Sequence, residues 1–258
     1  MVDGVDDPPR SAIGRTLQII GAFADAPAAG LTAAAIGTRT GLPSSTVYRI
    51  CGRLAEERLL ERTAGGRFRV GLRLWELGLL APRTGGLREI ALPYLEDLYE
   101  VVHENVQLVV LDGTEVVVVE RLSARDAVRL AGRPGGRLPV HATSGGLLLL
   151  AHAEERVLDA VAAAPLERFA AATIVTAPQL RAEVALARRQ GWVVLREHLT
   201  AGSVSVAAPV FDRRRNAVAA ISVISELSSG DRVLGAVLTT ARAVSRALSL
   251  GSGERPTD

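Results

Sequence analysis

Residues 31–70, LTAAAIGTRTGLPSSTVYRICGRLAEERLLERTAGGRFRV, decide the fold of the N-terminal part of this chain. Thr32 precedes an alanine-rich run through about Arg39 and is a suitable N-cap, because its hydroxyl can accept from a free backbone N–H of the first turn. Gly41 permits a bend, and Pro43 stands where a first-turn proline loses no hydrogen bond. On the helix that follows, Val47, Ile50, Cys51 and Leu54 form an apolar stripe, leaving Ser44, Ser45, Thr46, Tyr48, Arg49 and Arg53 to offer donors on the other side. Leu59 to Arg62 and Arg67 to Val70 then read as two short strands around Thr63-Ala64-Gly65-Gly66, a glycine turn that puts Arg62, Arg67 and Arg69 on or beside a hairpin. Helix, tight turn, second helix and basic hairpin in this order outline a winged helix-turn-helix, and so point to double-stranded DNA as a partner. The second helix fits a major groove, where small hydroxyls approach phosphates and an arginine can bond two acceptors on a guanine edge. The candidate DNA-binding residues are Thr32, Ser44, Ser45, Thr46, Tyr48, Arg49, Arg53 and Arg67. The competing reading is a small helical subdomain with a solvated arginine face.

Charge supports a division of labour. Residues 10–75 carry ten Arg against Asp25, Glu56, Glu57 and Glu61, a net of +6, whereas the whole chain of 258 residues is only +2. Electrostatic attraction to a polyanion should therefore be focused at the N-terminal end. All 30 basic residues are Arg, a bias expected from genome composition rather than from selection for phosphate forks. A length of 258 residues with 48% apolar content can bury one ordinary core plus a small accessory domain. The single cysteine, Cys51, excludes an internal disulfide framework and lies on an apolar stripe, as a buried thiol does. The first residues are acidic and proline-containing rather than basic then apolar, and no run reaches a bilayer-spanning length, so a cytoplasmic protein without membrane contact is expected.

Residues 1–10 are expected to form a disordered tail, 11–71 the winged helix-turn-helix, 72–86 a linker helix and loop, 87–250 a second domain, and 251–258 a disordered tail. In the linker, Leu72, Leu74, Trp75, Leu77, Leu79 and Leu80 make an apolar-rich helix ending before Ala81-Pro82. A second amphipathic helix runs from Leu87 to about Val102, with Pro93 tolerated only near its start and a stop at His103. The period then changes. VQLVVLDGTEVVVVERL, 106–122, is two β-rich runs around Asp112-Gly113, and AVRLAG, 127–132, is a third candidate strand. Helices are expected from about Leu147 to His152, from Glu154 to Ala164 and from Pro178 to Gln190, the last closed by Gly191. Strands return at WVVLRE (192–197), SVSVAAPVF (203–211) and AVAAISVIS (217–225), before a terminal helix from about Asp231 to Leu250. The fold class is α+β, with an antiparallel sheet flanked by helices and able to hold a ligand between sheet and helix.

Six blocks in order, SAIGRTLQIIGAFAD (11–25), GLPSSTVYRICGRLAEERLL (41–60), GRFRVGLRLWELG (66–78), VVLDGTEVVVVERL (109–122), LPVHATSGG (138–146) and the pair SVSVAAPVFD (203–212) and AVAAISV (217–223), resemble the IclR (isocitrate lyase regulator) family of bacterial transcription regulators. The resemblance runs from about Ser11 to Leu250. It implies a winged helix, a linker helix that mediates dimerisation, and a C-terminal effector-binding domain of GAF-like fold in which a small organic acid or aromatic metabolite alters operator affinity. The expected partners are operator DNA, a small-molecule effector and further copies of the chain, as homodimer or homotetramer, with repression the favoured sign. By the resemblance, Ser144, Gly145 and Gly146 form the turn ahead of the first sensor-domain helix. Glycines let a backbone come close, and free N–H groups at a helix start attract a carboxylate. Ser205 takes a position often occupied by cysteine in the family, and Ser222 matches a serine that faces the ligand. Leu195 stands where members recognising small oxo acids place an acidic residue, Ile224 replaces a second pocket serine, and Leu147 replaces a lysine. Loss of polar wall groups shifts the expected effector toward a larger, more apolar or aromatic acid.

Enzymatic readings have little support. His103, His141, His152 and His198 are scattered, and Cys51 lies in the second helix of the winged motif, so neither a Cys/His pair nor a close-spaced metal motif is visible. No phosphate loop or dinucleotide fingerprint occurs, and no cofactor is expected. A hydrolase built on Ser144 or Ser205 would need His141 or His198 beside it as base. The alternatives to an effector-controlled regulator are an enzyme carrying an accessory winged helix and an interaction module whose winged helix binds protein.

Overall fold

The structure, a computed structural model, describes residues 11–251 apart from 25, 79, 81–84, 125–126, 129–132 and 229. The expected tails lie outside the described residues, save Gly251, which ends the last helix. The chain divides into two compact units between Pro82 and Arg83.

In the first unit α1 spans Ala12–Gly21, capped by Ser11, whose hydroxyl accepts from Gly14 N at 2.9 Å. Thr32 caps α2 (Ala33–Thr40), its Oγ1 accepting from Ala35 N at 3.1 Å. Gly41 closes α2 at φ 67°, in the left-handed region that costs glycine nothing. Leu42 is buried, Pro43 is the N-cap of α3 (Ser44–Glu56), and these three residues make the tight turn. The hairpin is β1 (Leu60–Arg62) against β2 (Phe68–Val70), with Leu60 opposite Val70 and Arg62 opposite Phe68. Leu31 adds a bridge to Phe68, exchanging both backbone hydrogen bonds. Gly30, at φ 82°, precedes it, and a side chain there would run into the Phe68 carbonyl. Ile19, Ile36, Val47, Ile50, Cys51, Leu54, Leu60 and Phe68 form one core, so the apolar stripe of α3 is the side that packs. A short helix α4, Leu72–Gly78, follows with none of its residues buried, and Arg73 ties it to Glu57 at 3.2 Å.

The second unit opens with α5, Gly85–Val102, two residues earlier than expected. Pro93 is the ninth residue of this helix rather than near its start; it lies on the exposed side, where the carbonyl freed four residues earlier is open to water. His103, at φ 51°, ends the helix and its N–H bonds the Tyr99 carbonyl at 2.8 Å. Strands β3 (Asn105–Asp112), β4 (Glu115–Leu122), β5 (Arg137–Pro139), β6 (Val193–Arg196), β7 (Ser203–Phe211) and β8 (Ala217–Glu226) form an antiparallel sheet in the order β5-β4-β3-β8-β7-β6. The edge strand beside β4 is Arg137–Pro139; most of the expected strand 127–132 falls outside the described residues.

Alternation along the strands divides the sheet into two faces. Val106, Leu108, Val206, Ala208, Ile221 and Val223 point to α5 and α9 (Gly230–Gly251). Val109, Val116, Leu195, Ala207 and Ala220 point to α6 (Ser144–His152), α7 (Glu155–Ala163) and α8 (Ala177–Gln190). The register shift opposite Leu108 and Val109, where β4 carries an extra residue, turns Glu120 to the α5 side, and Arg88 of α5 meets it at 2.6 Å. The apolar stripe of α5 (Leu87, Ala91, Leu95 and Leu98) is spent on the sheet. The expectation that no run reaches a bilayer-spanning length needs correction. By length and composition alone, α9 could cross a membrane, with mean hydropathy 1.3 over Arg232–Leu250, although its Val233, Val237, Ala241 and Val244 are committed to the sheet.

Candidate DNA-reading helix and ligand cavity

On α3, Ser44, Ser45, Tyr48, Arg49 and Arg53 are exposed and Thr46 is half-buried, so the helix shows one polar face around its packed stripe. Arg49 and Arg53 are four residues apart and share that face. Tyr48 is joined to the hairpin: Arg62 donates to its hydroxyl at 3.0 Å, and the guanidinium lies 5.4 Å from the ring centroid. This link fixes the hairpin against the reading helix; Arg62 is visible in sequence only as one more hairpin arginine. Arg67 turns back to the Gly30 carbonyl at 3.3 Å, and Arg69 is paired with Glu61 at 2.6 Å, so the hairpin is less freely cationic than its sequence suggests. The Thr32 hydroxyl is engaged as the α2 cap. Burial raises the Cys51 thiol to about 11 and keeps it protonated.

The second unit encloses a cavity of about 40 Å³ between the sheet and the start of α6. Its floor is two rungs of the sheet. Gln107 of β3 pairs with Ser222 of β8, and Ser205 of β7 lies between Ile224 of β8 and Leu195 of β6. Ser144 and Gly145 form the opposite wall, and His198, Thr200 and Ser203 close the side. Ser144, Gly145, Leu195, Ser205 and Ser222 thus come together on one cavity. Gly146 does not reach it. Its N–H is held by Thr143 Oγ1 at 3.2 Å, and a Cβ there would meet the Val140 carbonyl at 2.5 Å, so Gly146, in the first turn of α6 rather than in a turn ahead of a helix starting at Leu147, serves the packing of the helix start. Gly145 has a similar reason: a Cβ would meet Val109 Cγ2 at 2.6 Å, so the missing side chain lets α6 lie close on the sheet. Leu147 is core, not wall.

The side chains of Gln107, Ser144, Ser205 and Ser222 have no hydrogen-bond partner among the described residues, yet Gln107, Ser144 and Ser222 are all buried. Their polar atoms are not sealed off but reach the cavity space, where a water or a ligand can satisfy them. At the start of α6, Thr143 accounts for the Gly146 and Leu147 N–H groups, leaving those of Ser144 and Gly145 toward the cavity. Burial lowers the His198 pKa, so its ring is neutral at pH 7, and its Nδ1 lies 2.9 Å from the Arg196 carbonyl. His141 packs away from the cavity wall with Nε2 at 2.9 Å from the Glu167 carbonyl. Neither ring is hydrogen-bonded to Ser144 or Ser205, so the nucleophile–base contact a hydrolase needs is not formed among the described residues. Sequence reasoning missed Gln107, Thr200 and Ser203, and weighed His198 only as a hydrolase base. A single polar residue inside the run VQLVVL was the available signal for Gln107.

Residues 83–249 match the family described as bacterial transcriptional regulator IclR C-terminal, and residues 12–64 match the IclR helix-turn-helix domain. The chain belongs to the IclR family. Among curated IclR-type relatives, it is 35% identical over 213 residues to the probable transcriptional regulator SauR of Cupriavidus necator, covering 81% of this chain and 82% of that one. It is 32% identical over 250 residues to the HTH-type transcriptional regulator BhcR of Paracoccus denitrificans, covering 95% and 88%. Among solved structures, an IclR homolog from Microbacterium hydrocarbonoxydans complexed with 4-hydroxybenzoate superimposes with a TM-score of 0.85 at 35% identity, over 93% of this chain and 100% of that one. The IclR-type relatives are transcriptional regulators, not enzymes, and this chain is a regulator of that type with a DNA-binding N-terminal domain and an effector-type C-terminal domain.

Proposed function

We propose that this protein is a homodimeric, effector-controlled repressor whose α3 reads operator DNA and whose sheet-and-α6 cavity takes an aromatic monocarboxylic acid. The observation that carries the effector class is the cavity wall, where four unpaired polar side chains are set among Val109, Val116, Leu138, Leu195 and Ile224. Apolar walls suit a ring, and the Ser144 and Gly145 N–H groups suit a carboxylate at a helix start. Ser205, Ser222 and Gln107 remain for a polar substituent at the other end of the ligand. The 4-hydroxybenzoate held by the Microbacterium homolog is an acid of this type. The free volume of about 40 Å³ is small for an aromatic ring, so binding one moves the walls apart. That movement is the differential state an effector must select in order to alter DNA affinity.

On the DNA side, Arg49 and Arg53 read base edges while Ser44, Ser45, Thr46 and Tyr48 meet phosphates and Arg67 flanks the backbone. Pairing of two chains rests on apolar residues left in water. On α4 Leu72 is 60% exposed and Trp75 62%, and on α1 Ile13 is 74% exposed, more than a solvated connector needs.

The test is calorimetry of the full-length protein with 4-hydroxybenzoate, benzoate and pyruvate, beside operator shifts with and without each acid. Saturable binding of the aromatic acids, with release of operator, is expected. Preference for pyruvate would overturn the effector class, and tighter operator binding with the acid would overturn repression as the sign.

A further inference from the structure

A second concavity lies at the other end of the C-terminal unit, where the C-terminal half of α9, the β7–β8 turn and the start of β6 border an open cleft of about 780 Å³. It shares no lining residue with the sheet-and-α6 cavity. Four arginines face it. Arg242 and Arg246 are one turn apart on α9, and Arg213 and Arg215 project from the turn. That turn is rigid: Asp212 Oδ1 accepts from Arg214 N and Asn216 N, both at 2.8 Å, and Arg215 takes φ 65° with its guanidinium 5.5 Å from the Phe211 ring centroid. Asp212, the one carboxylate on the cleft wall, is thus spent on the turn's own N–H groups. None of the four guanidinium groups has a carboxylate partner among the described residues. Several other arginines of this unit are paired with carboxylates, as Arg88 is with Glu120, Arg137 with Asp112 and Glu115, and Arg181 with Glu155 and Asp159.

Between the arginines the wall carries the apolar Trp192, Phe211, Pro209 and Leu238, with the Phe211 ring met edge-on by His152 at 5.3 Å and Ser245 clamping α9 to β7 by accepting from Phe211 N at 2.9 Å. Four uncompensated charges are too many for the monocarboxylate of the other cavity and match a chain of phosphates, which guanidinium forks bind bidentately. Trp192 offers an indole surface for a ring, and the volume lies in the range of small-molecule sites. We propose that this cleft is a second ligand site, for a ring-bearing polyanion of the nucleoside di- or triphosphate type, through which the regulator takes a second signal.

The chain has two tryptophans, and Trp75 lies in the other unit; in full-length Trp75→Phe protein the fluorescence therefore reports Trp192 alone. Titration with ATP, ADP and inorganic pyrophosphate without added metal should show saturable quenching by the nucleotides below about 1 mM, the range of ordinary metabolite concentrations. Arg242→Glu combined with Arg246→Glu should weaken it at least about tenfold, since a single charge-assisted hydrogen bond to a phosphate is worth about that much, while the response to 4-hydroxybenzoate remains. Arg213→Ala, on an exposed turn, supplies a second variant should the helix substitutions disturb folding. Absence of saturable quenching, unchanged affinity in all variants, pyrophosphate binding as tightly as ATP, or displacement of ATP by duplex DNA lacking an operator would each overturn the proposal.

Discussion

Replacing Gln107 with methionine should leave the free protein at least as stable as before and weaken binding of 4-hydroxybenzoate about tenfold, the equivalent of one hydrogen bond. Gln107 is 4% exposed and stands beside Ser222 with no partner for its amide among the described residues. Methionine keeps the length of the side chain, so it opens no large cavity, and a volume-conserving exchange costs less than about 1.5 kcal/mol. Against that cost, the variant removes an amide without a protein partner, a state that costs at most about 1–3 kcal/mol and less here, where the amide reaches the cavity space. A water in the 40 Å³ space already recovers part of the penalty in the free state. The two effects leave a net change between zero and about 1 kcal/mol in favour of the variant, a shift of up to about +4 °C in Tm for a unit of this size. In the complex the same amide has a ligand atom to bond, so its removal appears as weaker affinity. Differential scanning calorimetry without ligand and titration calorimetry with 4-hydroxybenzoate measure the two signs separately. A Tm lowered by more than about 3 °C, the equivalent of roughly 1 kcal/mol, would show that the amide holds the fold. Unchanged affinity would show that it does not face the ligand, and either result would refute the reading of the cavity wall.

Three further outcomes follow from the other sites. Arg49→Ala should reduce operator affinity more than affinity for scrambled duplex, by about 1–3 kcal/mol for one bidentate pairing with a base, whereas Arg67→Ala should weaken both alike; parallel titrations at one salt concentration decide, and equal losses for Arg49→Ala would remove its base-reading role. Trp75→Glu, at a residue 62% exposed on α4, should shift sedimentation of the free protein toward monomer without lowering the melting temperature of either unit; an unchanged sedimentation profile would move the pairing surface elsewhere. Cys51 is fully buried with its pKa raised to about 11. The folded state disfavours the thiolate, so its contribution to stability is complete below the ordinary thiol pKa and is lost as pH rises from about 9 toward 11; melting curves across that interval should fall for wild type and flatten for Cys51→Ala.

Local rules suffice for much of this protein. The Thr32 cap, the left-handed Gly41, the period of Val47, Ile50, Cys51 and Leu54 and the glycine hairpin each act within a few residues, so the sequence by itself determined the winged helix and its exposed arginines. The strands 203–211 and 217–226 were legible for the same reason, alternation and turn chemistry being local. Tertiary structure decided what depends on distant partners. Pro93 could be housed in mid-helix only because that side of α5 faces water, while the opposite stripe is covered by the sheet. The SGG turn reads in sequence as three equivalent ligand groups, yet packing divides them: Ser144 and Gly145 wall the cavity, while Gly146 is pressed against Val140. Gln107 joined the site because β3 pairs with β8 in the register that sets it beside Ser222, two residues separated by more than a hundred positions in the chain. Register over such a distance is fixed by the burial of a whole sheet face, a collective energy that no short stretch of sequence contains.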